Sequence, residues 1–463
     1  MRILHAIHDF LPRHQAGSEI YAFELCRKLA SRHHVSVLCA EHDLSRDHGH
    51  VKWRVYQGLP VIEIVNNWRC ASFEDTYRPP VITDQIAHVL RAVQPEVIHI
   101  HNLLNLSFAL PAFARAQGVP VVATLHDYTL VCPSGGQRIH RADRHVCHVI
   151  EADRCARCFR ESSEFALISV SKLSSVTRAS RVLRRPAAAM VRSFPRLARS
   201  LVRAARRAPL FPLAPRDIER RLDAARKLFD EVDLFIAPSP SIAAEFGRLG
   251  IDASKIRIAD YGLALVARRP RTEPPRRLRL GYVGTIVWHK GVHVLLDAVR
   301  GLPSTAYDLK IFGSLDVSPE YVRALREQAA GLPVRFMGAF DRDEAADVYA
   351  QIDLLVVPSL WLENSPLVIH EAFMAGIPVV AARIGGIVDL VEEGRTGLLY
   401  DPTSTAGLEA ALRSLVDNPD YLRALSERAG TLPRIRSIEE DAVACESIYA
   451  DLLRSRSVAG LPA

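Results

Sequence analysis

Two glutamates in the second half of the chain follow a predicted strand, one in the loop at its end and one on the next helix. Glu363 follows the apolar run Leu354–Val357, which predicts a buried strand, so Glu363 belongs to the loop at the carboxyl end of that strand. Pro366 suits the first position of a helix that Ser365 can cap, and Glu371 then lies within that helix. Carboxylates accept charge-assisted hydrogen bonds from hydroxyl groups, and the N-terminus of a helix attracts phosphate.

Glycine turns and a lysine supply the other groups that a diphosphate needs. The run Leu280–Val283 predicts a strand that ends at Gly284 and leads to Lys290, whose ammonium can neutralise phosphate as a point charge. Gly385 and Gly386 follow another predicted strand, and glycine lets a backbone approach a ligand closely. Solvated side chains and ordinary tight turns are the alternatives for each residue taken alone.

The string from Pro358 to Ala381 resembles the signature of the family 4 retaining glycosyltransferases. In that family two glutamates separated by seven residues lie between a Pro-Ser strand end and an Ala-Gly-x-Pro-Val turn. The resemblance implies that Glu363 contacts the sugar of a nucleotide-sugar donor and that Glu371 contacts the ribose. The family usually has an arginine where this chain has Thr285, which leaves a second phosphate cation unassigned.

The first half of the chain resembles the same family less densely. The segment from His8 to Glu19 is similar to the family's first glycine-rich loop, and it contains Gly17. His126 follows a predicted strand, and in the family this histidine faces the donor sugar. His101 follows another strand end, and two such histidines at one predicted edge leave a functional role and a structural one equally open.

The resemblance implies a complete set of site residues. Glu363, His126 and Lys290 are the predicted catalytic residues. The predicted donor-binding residues are Gly17, Gly284, Lys290, Glu363, Asn364, Ser365, Glu371, Gly385 and Gly386. The donor is a UDP- or GDP-sugar, no cofactor is required for catalysis, and the acceptor is a glycan or a lipid-linked molecule.

Short apolar runs alternate with helical periodicity along both halves, which predicts parallel sheets covered on both faces. We expect two doubly wound, Rossmann-like domains that face each other across a cleft, the GT-B fold, with ligands at the carboxyl ends of the strands. The predicted domains are residues 1–266 with a basic insert at about 160–216, a linker at 267–277, residues 278–430, and a helix at 431–463 that packs back on the first domain. The strand-like runs are Ile3–Ile7, Val35–Cys39, Val97–Ile100, Val119–Leu125, Asp233–Ala237, Leu280–Val283, Leu309–Phe312, Val334–Met337, Leu354–Val357 and Pro378–Ala381.

The charge of the chain is concentrated in one segment. The formal net charge is +7, yet no acidic residue lies between Glu164 and Asp217, a stretch that holds eleven arginines from Arg178 to Arg216. Arginines on one face and apolar residues on the other predict an amphipathic helix that binds an anionic membrane surface through residues 178–216. A solvated helix and an irregular insert are the alternatives. We expect a cytoplasmic protein, peripheral at the inner face of the plasma membrane, because no apolar run reaches the ~18 residues of a spanning helix and no signal peptide begins the chain.

Four cysteines cluster in sequence within the first half. Cys132, Cys147, Cys155 and Cys158 include one Cys-x-x-Cys pair, which is the spacing of a zinc knuckle. Structural zinc and unliganded thiols are both compatible with the irregular remaining spacings.

Three other functions fit parts of the sequence. The chain could be a catalytically weak subunit or regulator that binds a nucleotide-sugar, which Thr285 favours. It could be a nucleotide-sugar epimerase. Nucleic-acid binding is disfavoured, because only Phe194 and Phe211 accompany the arginines and stacking aromatic residues are otherwise missing there.

Overall fold

The structure, a computed structural model, divides into two compact units. The first comprises residues 1–236, 246–257 and 442–463, and the second comprises 237–245 and 258–441. The structure describes residues 1–458 apart from 141, 142, 144, 163, 164, 166, 167, 169–212, 265, 267, 269–276, 432 and 433. Residues 178–212 of the predicted amphipathic helix at 178–216 and most of the linker at 267–277 therefore lie outside the described residues. Those two features and the domain bounds stay predictions.

The first unit is built on an eight-stranded sheet with a small separate hairpin. Its strands are β1 (Arg2–Ile7), β2 (His34–Glu41), β3 (Val51–Tyr56), β4 (Leu59–Val65), β5 (Val97–Ile100), β6 (Val121–Thr124), the hairpin strands β7 (Ile139–His140) and β8 (His145–Val146), then β9 (Leu234–Ala237) and β10 (Ile256–Ile258). The order in the large sheet is β10-β9-β6-β5-β1-β2-β4-β3. Strands β9, β6, β5, β1, β2 and β4 pair in parallel, while β3 runs antiparallel to β4 at the edge.

The central strands of the first unit are buried on both faces, as parallel sheets require. All four residues of β5 and of β6 are buried. The covering helices are α1 (Gly17–Leu29), α2 (Pro80–Val93), α3 (Leu110–Ala116), α4 (Ala152–Arg160) and α5 (Pro215–Glu231). Proline at the first turn of α2 and α5 fits the helix start because its missing N–H has no intrahelical partner there.

The second unit contains a six-stranded sheet. Its strands are β11 (Leu278–Val283), β12 (Tyr307–Phe312), β13 (Val334–Gly338), β14 (Leu354–Val357), β15 (Val379–Ala382) and β16 (Gly397–Tyr400). The order is β13-β12-β11-β14-β15-β16, and every adjacent pair is parallel. The carboxyl ends of these strands therefore lie at one edge of the sheet, where ligands of such folds bind.

Eight further helices cover or flank this sheet, and a final helix ends the described chain. The eight are α6 (Pro240–Arg248), α7 (Val292–Arg300), α8 (Pro319–Gln328), α9 (Ala345–Ala350), α10 (Leu367–Met374), α11 (Ile387–Leu390), α12 (Thr405–Asp417) and α13 (Pro419–Ala429), and the last is α14 (Ile438–Val458). The side chains of Ser404 and Asn418 cap α12 and α13 by accepting backbone N–H bonds at 2.9 and 3.1 Å, the usual role of these residue types. None of the described helices combines the length and apolar composition needed to cross a bilayer.

Candidate functional site

Lys290 and Glu363, which are 73 residues apart in sequence, form an ion pair in the second unit. The Lys290 ammonium lies 2.6 Å from Oε1 of Glu363, and the Ser359 hydroxyl donates to the same oxygen at 2.5 Å. The ammonium also lies 4.9 Å from the centre of the Trp361 ring, within the range of a cation–π contact. The Glu363 carboxylate is buried, whereas the Lys290 side chain keeps 26% of its surface exposed. A ligand can therefore reach the lysine without unfolding the loop.

Glu371 is buried on α10 and holds two partners that the sequence analysis did not single out. Arg342 donates to Oε1 of Glu371, and the Tyr349 hydroxyl donates to Oε2 at 2.7 Å. Burial, followed by the charge of Glu371, raises the pKa of Tyr349, so this phenol remains a donor. Arg342 lies just after β13, and no motif around it marks it as a site residue.

The glycine pair at the end of β15 packs directly against the loop that carries Glu363. The Gly386 N–H donates to the Glu363 carbonyl oxygen at 2.7 Å. A Cβ atom on Gly386 would lie 1.8 Å from the Asn364 carbonyl oxygen, and one on Gly385 would lie 2.3 Å from that of Glu363. Gly385 also has a φ of +57°. Both positions therefore require glycine, and the two motifs form one continuous backbone surface.

The glycine turn after β11 also packs tightly, against the residue that follows β12. Gly284 has a φ of +146°, a conformation that side-chain-bearing residues rarely adopt. A Cβ atom on Gly313, at the end of β12, would lie 2.0 Å from the Gly284 carbonyl oxygen. The next turn leads to a single 3-10 turn, Trp288–Lys290, which places the lysine at this edge of the sheet.

Ser365 does not have the capping role that the sequence analysis gave it. Its hydroxyl donates to Oδ1 of Asp260 at 2.7 Å, and α10 has no side-chain cap. Oδ2 of the same aspartate lies 2.7 Å from Nε2 of His370. Burial lowers the pKa of His370, but the hydrogen bond and charge of Asp260 outweigh it and the net shift is upward. Asn364 is buried beside Glu363.

In the first unit, four histidines that lie within or just after β1, β5 and β6 form what we call the histidine cluster: His5, His99, His101 and His126. Nδ1 of His5 lies 2.9 Å from Nε2 of His101, and Nδ1 of His101 lies 3.0 Å from Nε2 of His126. His99 is held by the Tyr449 hydroxyl at 2.6 Å and by Thr124 Oγ1 at 2.7 Å.

Gly17, a predicted donor-binding residue of the first unit, is the first residue of α1.

Burial keeps the histidine cluster uncharged. It lowers the pKa of His5 and of His126 to about 3, and it lowers the pKa values of His99 and His101 as well. At neutral pH, His126 can therefore exchange hydrogen bonds with a ligand but carries no positive charge.

Two groups of side chains among the described residues have ligand atoms within 4.8 Å of one another, a spacing that could hold a metal ion. They are His5, His99 and His101, and His8, Asp9 and Glu19. Hydrogen bonds hold one ring nitrogen of His5 and both of His99 and His101, whereas Nε2 of His5 is buried without a hydrogen-bond partner among the described residues. In the second, Nε2 of His8 lies 3.3 Å from a carboxylate oxygen of the buried Glu19.

The four clustered cysteines line one cavity of the first unit. Cys132, Cys147, Cys155 and Cys158 come from a turn, the end of β8 and two successive turns of α4, and they share the cavity wall with Arg138 and Arg154. They are free thiols. Their sulfur atoms do not meet the 4.8 Å spacing of the two groups above. Burial, followed by the charges of the neighbouring thiols, raises the pKa of Cys155 to about 12.

A buried arginine lies beside this cavity. Arg221 is 5% exposed and donates to the carbonyl oxygens of Leu130, at 3.0 Å, and Thr129. No carboxylate among the described residues forms an ion pair with it. Burial lowers the pKa of Arg221 to about 10, and thiolates at Cys132 and Cys155 would raise it. Within the described part of the chain, the cation therefore gains an anionic neighbour only if these thiols or the Tyr77 hydroxyl ionise.

Two family models match the chain. The model described as glycosyl transferases group 1 matches residues 277–418, and the model described as glycosyltransferase family 4 matches residues 16–172. The two matches together span about two thirds of the chain. The chain belongs to glycosyltransferase family 4, as the sequence resemblance predicted.

Curated relatives match part of the chain. A glycogen synthase of Mycobacterium tuberculosis is 36% identical over 177 residues, which are 37% of this chain and 39% of the relative. A D-inositol 3-phosphate glycosyltransferase of Corynebacterium urealyticum is 30% identical over 260 residues, which are 51% of this chain and 61% of the relative. The chain thus spans between two fifths and three fifths of the length of these relatives.

Solved structures match nearly the whole chain. The sucrose-phosphate synthase of Thermosynechococcus elongatus has a TM-score of 0.66 at 19% identity and covers 98% of this chain and 99% of its own. The Anabaena protein HepE, solved in complex with UDP and glucose, has a TM-score of 0.62 at 17% identity and covers 97% of this chain and 99% of its own. This likeness confirms the predicted α/β GT-B fold class.

Proposed function

We propose that this chain is a retaining glycosyltransferase that moves a hexose from a UDP- or GDP-sugar to an acceptor hydroxyl. The observation that carries the proposal is the Lys290–Glu363 ion pair, which lies at the carboxyl ends of the β11 and β14 strands against the Gly385–Gly386 turn. A cation, a buried carboxylate and close backbone N–H groups are the parts that a sugar diphosphate needs. HepE, which shares the fold, was solved in complex with UDP-glucose.

The donor already carries a good leaving group, so catalysis consists of stabilising the charge that develops on the diphosphate. Lys290 supplies a positive charge, and the N–H groups near Gly284 and at the start of α10 supply dipoles. Glu363 orients the sugar and does not act as a nucleophile, and Glu371 binds the ribose. His126, uncharged, hydrogen-bonds the sugar. The acceptor hydroxyl attacks the anomeric carbon of the sugar from the face on which the nucleoside diphosphate leaves. The anomeric configuration is therefore retained.

The acceptor is a glycan or a lipid-linked molecule, in polysaccharide or glycolipid synthesis. The relatives named glycogen synthase and D-inositol 3-phosphate glycosyltransferase are consistent with that range. Membrane contact through residues 178–216 and a cytoplasmic location stay predictions, since residues 178–212 lie outside the described part of the chain.

A donor screen tests the proposed function. We expect a UDP- or GDP-sugar at 100 times its dissociation constant to stabilise the protein by about 2.7 kcal/mol, because a ligand of the folded state raises stability by mass action. The melting temperature is measured with each nucleotide-sugar, and slow hydrolysis of the stabilising donor is measured as released nucleoside diphosphate. Stabilisation without hydrolysis or transfer would favour the alternative, a nucleotide-sugar-binding subunit. A sugar epimer recovered still attached to its nucleotide would favour the epimerase.

We also propose that Cys132, Cys147, Cys155 and Cys158 hold a structural zinc ion. Zinc bound by four thiolates carries a net charge of −2. Arg221, a buried cation with no carboxylate partner among the residues that the structure describes, would balance part of it. The four thiols line a common cavity.

Metal analysis of the purified protein tests the zinc proposal. We expect close to one zinc per chain, lost on Cys155→Ser and kept on Cys445→Ala, because Cys445 lies buried in α14 far from this cavity in sequence. The metal-free variant should also have a lower melting temperature than the wild type, since structural zinc contributes to the free energy of folding. Zinc well below one per chain in the wild-type protein contradicts the proposal.

A further inference from the structure

The proposed donor site is short of positive charge. Its one basic side chain at the glycine turn, Lys290, is already paired with Glu363 at 2.6 Å. Thr285, where the family usually has an arginine, is uncharged. A diphosphate in a partly buried site needs cations or dipoles to replace the water it loses. A further cation would therefore strengthen the binding of a nucleoside diphosphate.

Arg342 lies on the same rim of the sheet as the glycine turn. The Gly313 N–H donates to the Gly338 carbonyl oxygen at 2.8 Å, and Gly313 packs against the carbonyl of Gly284. The ends of β11, β12 and β13 are thereby held side by side. Arg342 begins the 3-10 turn just after β13, so its side chain starts from the rim that Gly284 also forms.

The guanidinium of Arg342 is held at one point and is otherwise available. A guanidinium has five N–H donors. Among the described residues, Arg342 makes a single side-chain hydrogen bond, to Glu371, and 32% of its side chain is exposed. Arg279 shows the contrast, because it donates from Nε and both terminal nitrogens to Asp353 and a backbone carbonyl. Arg279 is a structural arginine, whereas Arg342 has donors left for a ligand.

We propose that Arg342 is the second cation of the donor site and that its free N–H donors bind the phosphates of the nucleotide while Glu371 holds it in place. This inference rests on the proposed function. Planar guanidinium groups form paired hydrogen bonds with phosphate oxygens. Arg342 would thus take, from a different strand end, the part that the family's arginine plays at the position of Thr285.

Binding of uridine, UMP and UDP to the full chain, measured by calorimetry, tests this proposal; the guanosine series is used if the donor screen selects GDP-sugars. Arg342→Ala should weaken UDP binding roughly tenfold or more, as expected for a lost hydrogen bond to a charged group. Uridine binding should stay within about twofold of wild type, because uridine has no phosphate. Arg342→Lys should lose less affinity for UDP than Arg342→Ala. Arg395→Ala, which removes an exposed arginine of the same unit, should bind UDP like the wild type.

The outcomes separate the inference from the proposed function. Equal losses for uridine and UDP would overturn the phosphate assignment, because Arg342 would then act only by positioning Glu371 at the ribose. Wild-type affinity of Arg342→Ala for UDP would overturn it too. Melting temperatures without ligand exclude a folding defect as the cause of a loss. If the wild-type protein binds none of these nucleotides, the proposed function itself is wrong, and the inference falls with it.

Discussion

Replacing Lys290 with alanine should lower the turnover of sugar transfer by about 100-fold or more, and Glu371→Ala should do the same. Removing one preorganised group that stabilises the developing charge costs about 3–4 kcal/mol in a water-excluded site. For Lys290 the lost group is the ammonium next to Glu363. For Glu371 it is the buried carboxylate on α10, on which the orientation of the nucleotide depends.

Steady-state transfer with the donor found by the screen measures this effect. Lys227→Ala and Glu219→Ala remove exposed side chains of the same types from α5 and should leave turnover unchanged. Lys290→Ala also leaves the buried Glu363 carboxylate without its ion-pair partner, so melting temperatures must be compared at the pH of the assay. A folded Lys290→Ala protein with wild-type turnover would show that Lys290 is not part of the active site.

Acid should destabilise the first unit well before its carboxylates titrate. The four members of the histidine cluster have folded pKa values below 6.5, two of them at about 3. The unfolded chain therefore binds more protons than the folded chain between about pH 6.5 and pH 3. The stability that the cluster contributes is present above pH 6.5 and is lost as the pH falls below it, by up to about 1.4 kcal/mol per pH unit for each histidine.

The second unit contains a histidine, His370, whose pKa is shifted in the opposite direction. Asp260 raises the pKa of His370 above its ordinary value, so the stability from this pair is fully present below pH 6.5 and is lost as the pH rises through the folded pKa. We therefore expect acid unfolding to begin in the first unit.

Urea unfolding between pH 5.0 and 7.5 measures the slope of stability with pH. His5→Asn should reduce that slope below pH 6.5 by about 1.4 kcal/mol per pH unit, because it removes one titrating group. His88→Gln, at an exposed position of α2, should leave the slope unchanged. An unaltered slope in His5→Asn would show that His5 is charged, or exposed, in the folded protein.

The sequence by itself determined the elements and the main motif. All ten predicted strand-like runs coincide with strands to within about two residues at each end, because buried parallel strands are continuous apolar runs bounded by turn residues. The strands β3, β4, β7, β8, β10 and β16 were missed. Short or half-exposed strands lack such runs, and the run of the buried strand β4 is interrupted by Pro60 and Glu63. The motif around Glu363 and Glu371 was visible because its residues are close in sequence.

Only the tertiary structure decided which distant residues meet. Arg342 reaches Glu371, and Ser365 turns to Asp260 rather than to its own helix. The histidine cluster is assembled from three strands through the register of β1 with β5 and of β5 with β6. The reason is physical: local patterns fix a strand or a helix through short-range sterics and burial, whereas side-chain partners depend on strand order and packing. That order follows from the energy of the whole core, and no short stretch of sequence contains it.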